Sequence, residues 1–479
     1  MPTHLDSSAP VDLVLACCLL LGAVSGSYAA LSLQGLHADG AYYLLKILLD
    51  HNFTFAWEIP RTSSHILQQW LTLSALHLGQ LDTATLARIH GATMILTPIA
   101  LIGLSYLFLP RDWKQLFVFP VFYYLSALMA SVFSPIGEAQ LASAYFWPLL
   151  YAILFVAPRP GGRVLLVAMI LPIFFFHESY VLIAPLLVLA ALLRLIRSED
   201  QSDRRFFAIL ALLLVAVIIV VLLFVIMPKS DEYAARSASY LETIRSLAFL
   251  HQYGSFNLPA LLGIFAGVVL CIAAIPMITS SPKTQWVLLI TMALAAFATV
   301  LAPMLSEGAL SAKLQFDARS YGPVLIPVLV LVLAFASFYR QAARRYLRSR
   351  FIAAILLLLA LGQVGWHAIA TTQWRAYLDD FRAILDGHQG LIGHEQALAT
   401  LQPHARARFE KMSWVWTYPT MSILLAPDGR ILSMIANPIR KDSRWQPFDP
   451  ETLTPTLLAS DRFDFSAYLA SLEMRKEPR

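Results

Sequence analysis

Three carboxylates of the sequence lie where they could take part in catalysis. Asp39 follows the first long apolar segment, in GLHADGAYYLLKIL. Glu138 lies in the short polar stretch SPIGEAQ, and Glu178 lies in the His177-Glu178-Ser179 step that interrupts an apolar run. A carboxylate within an apolar stretch is costly unless it is used, so Glu178 gives the strongest signal. Asp39 could act as a general base, and the three carboxylates could share a substrate or a divalent metal, Mg²⁺ or Mn²⁺.

Each of these residues also has a structural interpretation. Asp39 could cap a helix that begins at AYYLLKIL. Tyr42 and Tyr43 could stack on a sugar, but an interfacial aromatic belt explains them as well. Glu138 and Glu178 could each be a helix cap or half of a structural ion pair. The sequence leaves these alternatives open.

A second group of candidate residues could bind substrate. Arg319 precedes a late apolar segment in FDARSYGPVLIP, next to Tyr321. Its guanidinium could hold a phosphate through two hydrogen bonds, or it could be an arginine that snorkels to the membrane interface. The other candidates lie in polar segments: Arg61, His65, Lys229 and Arg236. Lys229 and Arg236 could help to hold a diphosphate, although a solvated loop is the simpler explanation.

The segments that must position these side chains are mostly apolar. The 479 residues are 58% hydrophobic and 14% charged, with a mean hydropathy of +0.65, whereas a soluble domain carries about 25% charged residues. Apolar runs of about 20 residues fit a lipid bilayer, in which helices satisfy their own backbone hydrogen bonds. The net charge of +5 is small and dispersed, so it gives no indication of nucleic-acid binding.

The apolar pattern predicts an all-α polytopic membrane protein. The 11 predicted spans are 11–33, 89–110, 115–133, 139–157, 164–176, 181–193, 206–227, 259–279, 285–303, 322–339 and 351–371. Residues 65–82 are too polar to cross lipid and are predicted to form an interfacial amphipathic helix. Residues 164–193 are too long for one span, so we expect two short helices that meet at His177-Glu178-Ser179.

Basic residues orient the predicted spans. If the N-terminus is cytoplasmic, Arg and Lys are several-fold denser in the inner loops than in the outer ones, as the positive-inside rule requires. Residues 1–372 then form a membrane domain with a first outer loop at 34–88, and residues 373–479 form a small extracytoplasmic α/β domain. A hairpin is predicted there around the Pro-Asp-Gly turn of SILLAPDGRILSMI. The short loops and the lack of an organelle address favour the bacterial inner membrane, with a periplasmic C-terminus.

Taken together, these features resemble the GT-C class of membrane glycosyltransferases, which includes the protein O-mannosyltransferases and the aminoarabinose transferase of lipid A. Four segments carry the resemblance: His37-Ala38-Asp39-Gly40; the amphipathic segment from His65 to Leu78-Gly79 with Arg88; the two short helices in 164–193; and Arg319-Ser320-Tyr321-Gly322-Pro323 before Pro327. Many members of the class have two adjacent acidic residues in the first loop, whereas Gly40 follows Asp39 here. This departure leaves metal dependence and the identity of the base open.

The resemblance implies transfer of a sugar from a polyprenyl-phosphate-linked or polyprenyl-diphosphate-linked donor to a glycan, lipid or protein acceptor on the outer face. It implies that Asp39 deprotonates or orients the acceptor hydroxyl and that Arg319 neutralises the leaving phosphate. Glu138, His177 and Glu178 would shape the acceptor or metal site. The alternatives are an envelope polysaccharide polymerase or ligase, a transporter or flippase of lipid-linked sugars, and a scaffold. Charge gathered at the outer surface, away from the midplane, favours an enzyme.

Overall fold

The computed structural model describes residues 9–54, 61–129, 133, 136–227, 321–338, 347–438 and 448–476. The helices in the residues up to 227 are α1 (Ala9–Leu31), α2 (Asp39–Asp50), α3 (Thr62–Leu78), α4 (Thr83–Phe108), α5 (Val118–Tyr123), α6 (Glu138–Phe155), α7 (Pro160–Ile170), α8 (Tyr180–Arg197) and α9 (Gln201–Ile226). They are followed by α10 (Tyr321–Phe338), α11 (Arg350–Asp386), α12 (His394–Ala399), α13 (Pro403–Met412), α14 (Tyr418–Leu424), α15 (Pro455–Leu458) and α16 (Ser466–Lys476). Strands β1 (Gly390–Ile392) and β2 (Ser433–Ile435) form a two-stranded parallel sheet.

Among the described residues, five helices are long and apolar enough to cross a membrane: Val11–Leu31 within α1, then α4, α8 and α9, and Ile352–Asp386 within α11. Shorter apolar helices cover Pro160–Phe175 and Leu325–Ala334. Exposed side chains such as Leu20, Leu189 and Leu212 give these helices an outward apolar surface suited to lipid. The helices agree with a multi-pass helical membrane protein.

The number of 11 spans stays a prediction. The predicted spans 259–279 and 285–303 lie outside the described residues. Over the predicted span 115–133, the described chain forms a 3-10 turn to Phe117, then α5, and then a π-helical turn at Tyr124–Leu128. It therefore does not form one uniform helix there.

The predicted break in the run 164–193 is confirmed. Helix α7 continues as a 3-10 turn over Leu171–Phe175, and α8 begins at Tyr180. Residues 176–179 between them are not helical. A partly buried polar step is tolerated here because it lies between two helix ends and not inside one helix.

Helix α3 confirms the predicted amphipathic helix, with its polar side inward. Gln68, Gln69 and Thr72 are fully buried, whereas Ile66 and Trp70 are exposed. The Gln69 side chain exchanges two hydrogen bonds with the Thr54 backbone, accepting from N–H at 2.8 Å and donating to the carbonyl at 2.9 Å. An apolar outer face over a polar inner one fits a helix at a lipid interface.

Two apolar clusters meet along α11. The first joins α1, α5, α6, α8, α9 and α10 to the first half of α11. The second joins α2 and the 3-10 turn Gln34–Leu36 to the second half of α11 and to helices and strands that follow it. Helix α11 has 37 residues, a length of about 55 Å, and passes through the predicted domain boundary at residue 372. Helix α2 and the turn before it therefore pack against the C-terminal segment.

The predicted hairpin in SILLAPDGRILSMI is wrong. Ser422, Ile423 and Leu424 form the end of α14, and β2 pairs in parallel with β1, so that Gly390 lies opposite Ser433. A short apolar run cannot be assigned to strand or helix by periodicity alone. Here the helix buries both Ile423 and Leu424, and the Pro-Asp-Gly turn leads to a strand whose partner lies about 40 residues earlier along the chain.

Candidate functional site

Two of the three predicted carboxylates meet at one guanidinium. Arg61 Nε lies 3.1 Å from Glu178 Oε2, and Arg61 Nη2 lies 3.3 Å from Glu178 Oε1. Arg61 Nη1 lies 3.5 Å from Glu138 Oε2. The contact with Glu178 is a two-pronged pairing of guanidinium and carboxylate, which fixes geometry as well as charge. We refer to Arg61, Glu138, Glu178, Tyr43, His65 and His177 as the ionic cluster.

The charged members of the ionic cluster come from chain segments next to helix ends. Arg61 directly precedes α3, Glu138 is the first residue of α6, and Glu178 lies in the break before α8. The exposed fraction of the side chain is 3% for Glu138, 14% for Glu178 and 27% for Arg61. The cluster is therefore closed around Glu138 and reaches solvent on the side of Arg61.

Glu138 has two further neighbours. Tyr43 of α2 donates a hydrogen bond from its hydroxyl to Glu138 Oε1 at 2.6 Å. His65 of α3 places Nε2 3.9 Å from the same oxygen, and the rings of Tyr43 and His65 lie 4.9 Å apart. Both rings are buried. Helices α2 and α3 are thus joined to α6 through Glu138.

The protonation states of the ionic cluster follow from this geometry. Burial raises the pKa of Glu138 and of Glu178, but the charge of Arg61, the neighbouring histidines and the hydrogen bonds together outweigh burial and lower each pKa to about 2. Burial lowers the pKa of His65 to about 4, despite the opposing effect of Glu138. Burial and Glu138 raise the pKa of Tyr43 well above its usual value. At neutral pH the two glutamates are ionised, whereas His65 and Tyr43 are neutral.

His177 supports Glu178 from the other side. The His177 Nδ1 atom accepts a hydrogen bond from the backbone N–H of Ser179 at 3.0 Å. The proton of the neutral ring is therefore on Nε2, which lies 3.5 Å from Glu178 Oε2. The three residues of the predicted polar step act together, since Ser179 orients His177 and His177 faces Glu178.

Asp39 is the first residue of α2, and the N-cap position is taken by Ala38. The alternative that Asp39 is a helix cap is therefore wrong, although a carboxylate in the first turn is favoured by the helix dipole. Asp39 is half-buried. It lies one helical turn before Tyr43, on the same face of α2, and its charge acts on Tyr42 and Tyr43.

Gly40 cannot be replaced by a second acidic residue in this backbone. A Cβ atom at position 40 would overlap the carbonyl oxygen of Gly35, and one at Gly35 would overlap the backbone of Gly91 in α4. The turn before α2 is therefore packed backbone against backbone. A second carboxylate near α2 comes from another element. It is Glu138 of α6, which accepts a hydrogen bond from the Tyr43 hydroxyl.

Tyr42 and Tyr43 are both buried, with ring centroids 5.8 Å apart. Tyr43 contributes its hydroxyl to the ionic cluster. Tyr321 begins α10, while Arg319, Lys229 and Arg236 lie outside the described residues. Their predicted roles in phosphate binding stay predictions.

Sequence reasoning missed Gln140, which is two residues after Glu138 in α6. Its side chain is fully buried, and both of its amide atoms lack a hydrogen-bond partner in the described part of the chain. Both ring nitrogens of His65 also lack one there. Unsatisfied buried polar groups cost about 1–3 kcal/mol each. The one signal in the sequence was a polar residue two positions after Glu138 within SPIGEAQ.

The described residues include no group of three or more His, Cys, Asp or Glu side chains arranged to hold a metal ion. The hypothesis of a shared Mg²⁺ or Mn²⁺ therefore has no donor set in that part of the chain. Glu138 and Glu178 are instead held together by a guanidinium.

Comparisons with protein-family models, with curated proteins and with solved structures found no match to the chain. What the site can do is therefore argued from its own geometry and chemistry.

Proposed function

We propose that the chain is a membrane glycosyltransferase that moves a sugar from a polyprenyl-phosphate-linked donor to an acceptor on the outer face of the membrane. The observation that carries this proposal is the ionic cluster, in which Arg61 bridges Glu138 and Glu178 at the ends of apolar helices. Ionised carboxylates beside apolar spans are costly and are retained where they bind or react. Asp39 stands one turn of α2 from the tyrosine that joins this cluster.

Asp39 is the general base in this proposal. Its carboxylate is half-buried, whereas Glu138 is closed off and engaged by Tyr43 and Arg61. A base must reach the proton that it removes, which favours the more accessible carboxylate. Tyr43 and Glu138 hold α2 in place, so that Asp39 faces the acceptor hydroxyl.

Glu178 and His177 face the sugar or the acceptor. Their side chains are 14% and 15% exposed, more than Glu138. A carboxylate accepts hydrogen bonds from sugar hydroxyls. The His177 Nε2–H, directed at Glu178, keeps that carboxylate oriented.

The donor phosphate is bound outside the ionic cluster. Arg61 is already paired with two carboxylates, so the cluster holds more negative than positive charge and repels a phosphate. Arg319, with Lys229 and Arg236, is the predicted phosphate site of this mechanism. Arg319 would stabilise the charge that develops as the carbon–oxygen bond to the phosphate breaks.

The position of the charged groups favours an enzyme over a transporter. Transporters place ionisable side chains near the membrane midplane, often at broken helices. Within the described ranges, one broken apolar run carries ionisable side chains, at His177 and Glu178, whereas Arg61 and Glu138 lie at or beside the first residues of other helices.

The test is to profile lipid-linked and envelope glycans in bacterial cells that express the chain or its Asp39→Asn variant. We expect the chain to consume one lipid-linked sugar and to add that sugar to an acceptor. Asp39→Asn should lower transfer by about 10²-fold or more, since it removes the base, with an unchanged amount of protein in the membrane.

The matched control is Asp50→Asn at the other end of α2, where Asp50 pairs with Lys46 at the surface. This variant should keep wild-type transfer. Transfer near the wild-type level in Asp39→Asn, or glycan profiles that do not change with the chain, would overturn the proposal.

A further inference from the structure

The turn that precedes Asp39 is enclosed by three aromatic rings, two of them from the C-terminal half of the chain. The His37 ring is buried. Its centroid lies 5.7 Å from that of Trp374 in α11 and 5.5 Å from that of Trp414, which follows α13. Phe133 lies 4.7 Å away on a third side. Edge-on ring pairs at these distances are favourable beyond their buried area. We call Trp374, Trp414 and Phe133 the His37 cage.

A second contact ties the same turn to α11. Thr371 donates a hydrogen bond from Oγ1 to Gln34 Oε1 at 3.2 Å, and both side chains are buried. On the opposite side, Gly35 packs closely on Gly91 of α4. The turn is therefore held between α4 and α11, and the C-terminal segment supplies one of its two walls.

The backbone of the turn needs such support. Ala38, between His37 and Asp39, has φ 49° and ψ −126°. A residue with a Cβ atom disfavours this region, and it persists only where surrounding contacts impose it. Relaxation of Ala38 would rotate the start of α2 and redirect the Asp39 carboxylate. The neighbours of Ala38 are thus part of what aims Asp39.

We infer that Trp374 and Trp414 are positioning residues, which act through His37 to hold Asp39 in its reactive orientation. The C-terminal segment is accordingly part of the catalytic unit. The functional consequence rests on the proposed function, because Asp39 is the base there. The orientation of Asp39 can be measured without any transfer reaction.

The experiment uses Asp39→Cys as a reporter, in the full chain with Cys17, Cys18 and Cys271 replaced by alanine. The probe is a small water-soluble maleimide, and the readout is its rate of reaction with the purified protein in detergent. Adding Trp414→Ala should speed this reaction by about fivefold, since the released turn opens locally more often. Adding Trp414→Phe should restore the slower rate, because a phenyl ring refills the cage.

The matched control is Phe463→Ala, which removes another buried ring of the same apolar cluster, one that lies against Phe465. It should leave the maleimide rate unchanged, even if the chain becomes less stable. Trp414 is only half-buried, and Trp414→Leu offers a second variant that keeps apolar volume without a ring. Equal rates in the parent, Trp414→Ala and Trp414→Leu would overturn the inference.

A transfer assay in cells then separates the two proposals. Trp414→Ala, with Asp39 intact, should lower transfer by about 10-fold or more, and Trp414→Phe should recover most of it. If the maleimide rates respond as expected but Asp39→Asn retains transfer, the proposed function fails and the positioning of residue 39 stands. If Asp39→Asn is inactive but the maleimide rates do not respond, the positioning inference fails alone.

Discussion

Arg61 is the residue on which the charge balance of the site depends. Its guanidinium is shared by Glu138 and Glu178, which are 77 and 117 residues away along the chain. Taking three charged groups out of water carries a large cost, and pairing offsets it only with close geometry and additional hydrogen bonds. The Tyr43 hydroxyl supplies such a hydrogen bond to Glu138, and His177 Nε2 lies 3.5 Å from Glu178 Oε2. These contacts fix the relative positions of the three charged groups, which suits the sugar-binding role proposed for the site.

His65 predicts a specific dependence of stability on pH. Its pKa is about 4 in the folded chain, below the usual 6.5, so the unfolded chain binds a proton that the folded chain excludes. Stability is therefore complete above about pH 6.5 and falls as the pH decreases towards 4, by on the order of 3 kcal/mol from this residue. His65→Gln should show a smaller decrease in the thermal unfolding midpoint in detergent between pH 7 and 5.

The control for this prediction is His404→Gln, since His404 is exposed on α13. It should show the wild-type decrease. The other histidines are present in both variants, so the difference between slopes reports His65. Identical slopes in wild type and His65→Gln would contradict the prediction.

At the scale of elements, the start of α2 depends on close backbone packing. The 3-10 turn Gln34–Leu36 lies on α4 because Gly35 and Gly91 have no side chains to keep them apart, and Gly40 lies on Gly35. Three glycines from two parts of the chain thus allow α2 to begin where Tyr43 can reach Glu138. Helix α3 packs beside these elements, with its glutamines directed inward and its apolar side chains directed outward.

Gly40→Ala is predicted to disrupt this packing. The added methyl group would overlap the Gly35 carbonyl oxygen, and overpacking of this kind costs about 1–3 kcal/mol. The thermal unfolding midpoint in detergent should fall and transfer should be lost with it. Gly103→Ala in α4 is the control, because no atom lies within 4 Å of the added Cβ. An equal effect of the two substitutions would refute the packing explanation.

For the whole molecule, α11 is the element that connects the membrane part to the C-terminal segment. Its first half packs among the spans, and its second half carries Trp374 and Tyr377 into the apolar cluster that contains α2. The segment after α11 is therefore fixed to α2 and the turn before it by packing. This arrangement is the reason that a tryptophan about 375 residues after Asp39 can influence it.

The orientation across the membrane is a further prediction. Glu199 lies among Arg194, Arg197, Arg204 and Arg205, a basic segment that the positive-inside rule places in the cytoplasm. In a chain without its natural cysteines, Glu199→Cys should react with a membrane-impermeant maleimide only after spheroplasts are permeabilised. His404→Cys, which is exposed in the C-terminal segment, should react in intact spheroplasts. The reverse pattern would place the ionic cluster on the cytoplasmic side.

Composition and local pattern by themselves determined the class of the protein and several of its elements. Long apolar runs with little charge fit few structures other than membrane helices. The His177-Glu178-Ser179 step indicated a helix break because a carboxylate is costly inside an apolar helix. The same reasoning identified Glu138, Glu178 and Asp39 as candidates. These are local properties, readable within about 20 residues.

Only the tertiary structure decided which residues meet. Ion pairing and burial depend on distances between segments that the sequence does not fix, so the sequence could not reveal that Arg61 binds both glutamates or that Gln140 is buried. An amphipathic pattern does not say whether lipid or protein covers each face, so the inward polar side of α3 was undetermined. The run around Ile423 looked like a strand because four apolar residues fit either structure, and burial against the C-terminal core selected the helix.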